Sequence, residues 1–202
     1  MNGQETEAKF YVKNLRKIEL RLQELKAQLI QPRIHETNLR FDNANNDLRN
    51  AYRVLRLRQD EKAHLTFKGP STEKEGGILS RQEIEFVVED FEIAKQFLKA
   101  LGFKAIVFYE KFRTTYELSE VHIMLDELPY GEFVEIEGDS VEAIRNTINL
   151  LGLNWDAAVK AGYHALFEKV AEKYNLEPSQ LSFSALENTM VTADDLGVQS
   201  AN

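Results

Sequence analysis

Along much of this chain, two like charges stand at positions i and i+2 of a strand-like segment, with apolar residues alternating between them. Side chains alternate across a strand, so each pair lies on one face and the apolar residues on the other. The acidic sets are Glu5 and Glu7, Glu83 and Glu85, and Glu135 and Glu137. The basic sets are Arg56 and Arg58, and Lys111 and Arg113, with Lys9 in phase with the first acidic pair. Lys68 and Asp126 close two further strands. The opposite phase carries Ala8, Phe10 and Val12, then Leu55 and Leu57, Ile84 and Phe86, Phe112, and Val134 and Ile136.

For one strand, a sheet with a buried and a solvated face accounts for this alternation. It does not account for the set. A wet face mixes Ser, Thr, Gln, Lys and Glu, whereas here carboxylates gather on some strands and Arg or Lys on others, although like neighbours repel. Amphipathic helices are available to cover the apolar face. The charged face then becomes an open concave sheet or a barrel lumen, and closure into a barrel removes the exposed edges. Charges crowded there must interleave with opposite charges or be neutralised by ligand and metal. Six basic groups facing seven acidic ones suit a polyanion held together with hard cations, since carboxylates bind Mg²⁺ or Mn²⁺ and Arg or Lys bind phosphate.

Composition narrows the classes. A net charge of −8 over 202 residues argues against a general nucleic-acid binder. No apolar run approaches the roughly 18–20 residues of a membrane span, and MNGQETEAKF has no basic-then-apolar leader pattern. The absence of Cys removes disulfide and thiolate-metal frameworks and makes a cytoplasmic protein the expectation. Element by element, periodicity predicts a strand at 4–12, a helix at 14–30 broken by Pro32, and extended chain at 33–42. A hairpin at 52–69, a loop at 69–77, a strand at 80–88 and a helix at 91–101 follow, then extended segments at 104–113, 115–118, 121–127 and 131–138. Helices are expected at 140–151 and 157–174, and a polar, flexible tail at 184–202. Glu5 and Glu7 before one helix are echoed at an offset of 78 by Glu83 and Glu85 before another, which suggests an internal repeat.

Five motifs stand in order: Glu5-Thr6-Glu7-Ala8-Lys9; Arg56 and Arg58 followed by LTFKGP with Lys68; Arg81, Glu83 and Glu85; Glu110, Lys111 and Arg113; and Asp126, Leu128, Gly131, Phe133 with Glu135-Ile136-Glu137-Gly138. Together they resemble the CYTH superfamily, which groups class IV adenylyl cyclases, thiamine triphosphatases and bacterial tripolyphosphatases. The resemblance covers residues 5–138. It implies an α+β fold, an eight-stranded antiparallel tunnel-like β-barrel with a charged interior and helices outside. The domain would span 1–180, with the tunnel at 4–138 and C-terminal helices at 140–176. The second strand departs from the family, reading HETNLRFD where Asp and Tyr are common.

The resemblance implies Glu5, Glu7, Glu83, Glu85, Asp126, Glu135 and Glu137 as metal ligands for Mg²⁺ or Mn²⁺. It implies Lys9, Arg56, Arg58, Lys68, Lys111 and Arg113 as the triphosphate grip, and Glu5, Glu7, Lys9, Arg58 and Glu137 as the catalytic set. The expected partner is a small-molecule triphosphate, with neither nucleic acid nor membrane, in a monomer or homodimer. Two chemistries fit: hydrolysis of tripolyphosphate, thiamine triphosphate or a nucleoside triphosphate, or cyclisation of ATP with loss of pyrophosphate. Hydrolysis demands less recognition and ranks first. A non-catalytic polyphosphate- or nucleotide-binding module would keep the basic clamp but has no use for the carboxylates. His122, in phase with Asp126, is a candidate for the lumen, and Tyr163 for capping it.

Overall fold

The computed structural model describes residues 3–202. The strands are β1 (Gln4–Val12), β2 (Gln28–Asp42), β3 (Val54–Gln59), β4 (Ala63–Lys68), β5 (Thr72–Glu73), β6 (Leu79–Val88), β7 (Lys104–Leu118), β8 (Val121–Leu128), β9 (Gly131–Glu137) and β10 (Gln180–Leu181). The α-helices are α1 (Leu15–Glu24), α2 (Asp47–Asn50), α3 (Phe91–Ala100), α4 (Val141–Leu151), α5 (Tyr163–Tyr174) and α6 (Ala193–Leu196). Eight strands form an antiparallel ring in the order β1-β9-β8-β7-β2-β3-β4-β6, and β6 pairs back onto β1. The barrel is therefore closed, with β5 and β10 appended to β6 and β7.

The closure has an internal symmetry. Exchanging β1, β2, β3 and β4 with β6, β7, β8 and β9 leaves every neighbour relation in the ring unchanged. Each half runs strand, helix, then three strands, with α1 and α3 in matching places. The echo of Glu5 and Glu7 in Glu83 and Glu85 thus falls on equivalent strands.

Most of the apolar core lies outside the barrel. Phe10, Val12, Val134 and Ile136 pack against Leu15, Ile18 and Leu22 of α1 and Ile144 and Ile148 of α4. A second cluster closes one end of the barrel instead, joining the inward-phase Leu128 and Phe133, with Tyr130, to Leu166, Phe167 and Val170 of α5. A third sets Leu98 of α3 over Phe41 and Leu57. The helices start where side chains can cap them: Asn14, Asp90 and Ser140 accept from Lys17, Ile93 and Ala143 backbone N–H groups. Gly152 ends α4 at φ 68°, a left-handed turn that a side chain would strain.

Several boundaries differ from the periodicity. The first helix ends at Glu24, and Gln28–Ile30 already belong to β2, whose pairing with β7 is irregular around Pro32. Leu25 and Leu29 continue the helical stripe by sequence alone, so periodicity could not see the stop. Residues 104–118 form one strand, and the last long helix begins at Tyr163. The 69–77 loop contains β5 and one 3₁₀ turn. The 184–202 segment is no frayed tail. Leu186, Leu196 and Ala201 are buried, Ala201 N–H donates to Tyr11 O at 2.9 Å, and Asn154 N–H donates to Ala201 O. Its polar composition hides three anchors spaced too far apart to register as a pattern. Among the described residues no helix is long and apolar enough to cross a membrane.

Deleting residues 184–202 should therefore cost about 4 kcal/mol and lower the unfolding temperature by about 10 °C, at roughly 1.5–3 kcal/mol per buried aliphatic side chain. Thermal unfolding of the truncated chain checks this; an unchanged midpoint would contradict the docking.

Candidate active site

Inside the ring the charged phase faces a cavity of about 1310 Å³. Ladder register decides who meets whom. Glu7 stands opposite Glu137, Lys9 opposite Glu135, Glu5 opposite Arg81, Lys68 opposite Glu83, and Arg113 opposite Asp126. The lumen holds Lys9, Arg40, Arg56, Arg58, Lys68, Arg81, Lys111 and Arg113 with Glu5, Glu7, Glu36, Glu83, Glu85, Asp126, Glu135 and Glu137, an even balance of sign.

The seven carboxylates expected as metal ligands divide into two groups. Three are consumed by the basic wall. Asp126, wholly buried, accepts from Lys111 Nζ at 2.9 Å, Arg113 Nε at 2.6 Å and the Tyr163 hydroxyl at 2.7 Å. Glu135 pairs with Lys9 at 3.0 Å and with Arg113. Glu85 takes Arg56 and Arg58 at 3.2 and 3.1 Å and the Thr66 hydroxyl at 2.7 Å. Burial opposes ionisation of Glu135, but Lys9 and Arg113 hold it well below the usual carboxylate range. In this arrangement these three groups hold the heads of the clamp cations.

The other four, Glu5, Glu7, Glu83 and Glu137, gather around two cations only. Lys68 binds Glu5 at 2.8 Å and Glu83 at 2.9 Å, and Arg81 binds Glu5 at 2.7 Å and Glu7 at 3.1 Å. Glu137 has no ion-pair partner among the described residues. Burial, then repulsion by Glu5, Glu7 and Glu83, pushes its pKa up to about 7. Burial also raises Glu83 against the pull of Lys68. Glu5 goes the other way: despite burial, Lys68 and Arg81 lower it to about 2. Oxygen-only donors with surplus negative charge are what Mg²⁺ or Mn²⁺ takes. Among the described residues, no set of three such groups is already disposed around one point.

At one end the lumen is packed with aromatic rings. Tyr11 and Phe133 lie edge to face at 5.5 Å, Phe133 and Tyr163 at 5.2 Å, and Lys9 Nζ sits 4.2 Å above the Tyr163 ring. Tyr163 is thus a wall and hydrogen-bond donor of the site. His122 lines the cavity near its rim, half exposed and 3.4 Å from Glu117.

Five lumen residues lay outside the sequence-derived set: Glu36, Asn38, Arg40, Arg81 and Tyr109. Glu36 stands opposite Lys111, Asn38 opposite Arg58 and Tyr109, and Arg40 opposite Arg56. Burial opposes its ionisation, but Lys111, Arg113 and Arg58 lower Glu36 to about 2. The signal was present. Glu36, Asn38 and Arg40 repeat the i, i+2 pattern, and Arg81 shares the phase of Glu83.

A model of the CYTH domain matches residues 3–144. A candidate adenylate cyclase of Methanocaldococcus jannaschii is 30% identical over 135 residues, 66% of this chain and 75% of that one. The solved structure of a candidate adenylate cyclase of Vibrio parahaemolyticus superposes with a TM-score of 0.74 at 19% identity, covering 83% of this chain and 99% of that one. A candidate adenylyl cyclase of Hippeastrum, whose dominant activity is triphosphatase, superposes with a TM-score of 0.62 at 19% identity over 82% and 96% of the two chains.

The raised Glu137 has a signed consequence. Between its ordinary 4.5 and about 7, the folded state holds a proton that the unfolded chain has released, so this group makes stability fall as pH rises through that window. Glu5 and Glu36, lowered to about 2, act oppositely: their contribution is present above the ordinary carboxylate pKa and lost as pH falls toward 2. Glu137→Gln should be more stable than wild type at pH 8, with the difference vanishing toward pH 4.5. Urea unfolding across that range checks it, and parallel pH profiles would contradict it.

Proposed function

The chain belongs to the CYTH domain family, and from that premise we propose that it is a divalent-cation-dependent enzyme that breaks a phosphoanhydride bond of a triphosphate substrate, by hydrolysis ahead of cyclisation. The observation that carries this reading is the joint enclosure of a six-cation clamp and an under-neutralised carboxylate quartet in one cavity. A polyphosphate-binding module needs the first and would be weakened by the second.

Lys9, Arg56, Arg58, Lys68, Lys111 and Arg113 grip the phosphate oxygens, the arginines through planar forks that match them. Asp126, Glu135 and Glu85 hold these heads in place, so they spend little reorganisation on reaching the transition state. Tyr163 fixes Asp126 from behind. Glu5, Glu7, Glu83 and Glu137 would hold one or two Mg²⁺ or Mn²⁺ ions, which supply charge neutralisation and activation of the attacking oxygen. Lys68 and Arg81, which pair with these carboxylates here, would then be free for phosphate, and Glu137 would be held as the carboxylate. Phosphoryl transfer asks little else of a protein than such positioning and charge stabilisation.

Two features support hydrolysis over cyclisation. Hydrolysis needs only the charged lumen, whereas cyclisation also needs a pocket for the nucleobase and ribose. A Hippeastrum protein of this fold has triphosphatase as its dominant activity despite its description as a candidate cyclase. The test incubates the protein with Mg²⁺ or Mn²⁺ and, separately, tripolyphosphate, thiamine triphosphate and ATP. Orthophosphate without cyclic AMP is the expected product. Cyclic AMP with equal pyrophosphate would establish the cyclase, and binding without turnover the module. Arg58→Ala should lower the rate by about 10²-fold or more. Glu137→Gln should abolish turnover while leaving the fold intact, because no cation loses its partner.

A further inference from the structure

Every clamp cation in the lumen already has a carboxylate partner, and so does Arg81. Arg40 differs. It is half buried on the inner face of β2 and lines the cavity, yet among the described residues its guanidinium makes no ion pair and no hydrogen bond. Its ladder neighbours are Arg56 on one side and Val107 on the other. Arg49 and Arg53 line the cavity with it, and of these two only Arg49 has a carboxylate partner among the described residues, Glu168 at 2.7 Å. Two residues back along β2, the amide of Asn38 is fully buried with both its nitrogen and its oxygen unpaired, and the Nε of Arg56 is also unpaired. Burial in the first place lowers the pKa of Arg40, and Arg49 and Arg56 add to this against Tyr109 and Glu168.

A half-buried cation without a counter-ion, beside like charges and next to buried polar groups that lack partners, is a place a ligand anion would complete. The phosphate fork is the natural complement. Arg40 lies roughly 7 Å along β2 from the pair formed by Asn38 and Arg58, beyond the clamp's central rungs. We propose that Arg40, backed by Arg49 and Arg53, is a further phosphate subsite of the tunnel, so that the preferred substrate class is linear polyphosphate of four or more phosphates. This rests on the triphosphate reading of the same cavity and deepens it.

The test is calorimetric titration of metal-free protein, where no turnover occurs, with inorganic tripolyphosphate, inorganic tetraphosphate and ATP. Wild type should bind tetraphosphate about tenfold more tightly than tripolyphosphate, the worth of one charge-assisted contact. Arg40→Gln should bring that ratio close to one, and Arg40→Lys should keep part of it. Arg33→Gln, which removes the same charge outside the tunnel, should leave it unchanged. The melting temperature of Arg40→Gln should equal or exceed that of wild type, since no carboxylate loses a partner. Equal weakening of all three ligands by Arg40→Gln would overturn the subsite, and selective weakening of ATP would make Arg40 a nucleoside contact instead. If neither phosphate chain binds wild type, the triphosphate reading itself fails.

Discussion

Opposite charges interleaved inside a closed barrel are the constraint on which the rest of this structure depends. Lumen charges left uncompensated are costly wherever the barrel wall takes them out of water, because each ion loses part of its solvation. Antiparallel register solves the problem locally, setting Lys68 opposite Glu83, Lys9 opposite Glu135, Glu5 opposite Arg81 and Arg113 opposite Asp126. The balance is even in number but uneven in space. The basic wall is saturated with carboxylates, whereas Glu5, Glu7, Glu83 and Glu137 share Lys68 and Arg81. That unevenness is where chemistry becomes possible, since a divalent cation and a polyanion would each complete what the other lacks.

Such an interior adds little net stability, so the fold must be held elsewhere. It is held on the outside. Phe10, Val134 and Ile136 under α1 and α4 and Leu57 under α3 form the apolar mass that a barrel interior usually supplies, while Phe133 and Leu128 under α5 plug one end of the barrel. The separation frees the lumen from packing duty. Glu137 can keep a pKa near 7, and Arg40 can stay without a partner, because the helices outside carry the folding free energy. The C-terminal segment belongs to this outer layer: Leu196 and Ala201 seal the surface above β1 and α5.

The doubled topology bears on how the site is assembled. Exchanging the two halves of the chain maps the ring onto itself, so β1 with its Glu5 and Glu7 becomes β6 with its Glu83 and Glu85. Because β1 and β6 are also neighbours, the two acidic strands meet and build most of one carboxylate cluster. The matching strands nevertheless differ in what their carboxylates do. Glu83 joins the quartet, while Glu85 turns to Arg56 and Arg58.

Sequence alone determined which residues face the lumen and which face the helices. That property is local, following from the two-residue period of a strand, so Glu5, Glu7, Lys9, Arg56, Arg58, Lys68, Lys111, Arg113, Glu135 and Glu137 were all legible from phase and motif. What only the tertiary structure decided is who stands beside whom. Neighbour relations around a barrel depend on register and stagger between strands distant in sequence, and no local pattern encodes them. The Arg, Lys and Tyr partners of Asp126, Glu135 and Glu85 therefore came into view only with the closed barrel. Likewise β2, with Glu36, Asn38 and Arg40, revealed its role only once β3 and β7 closed on either side of it.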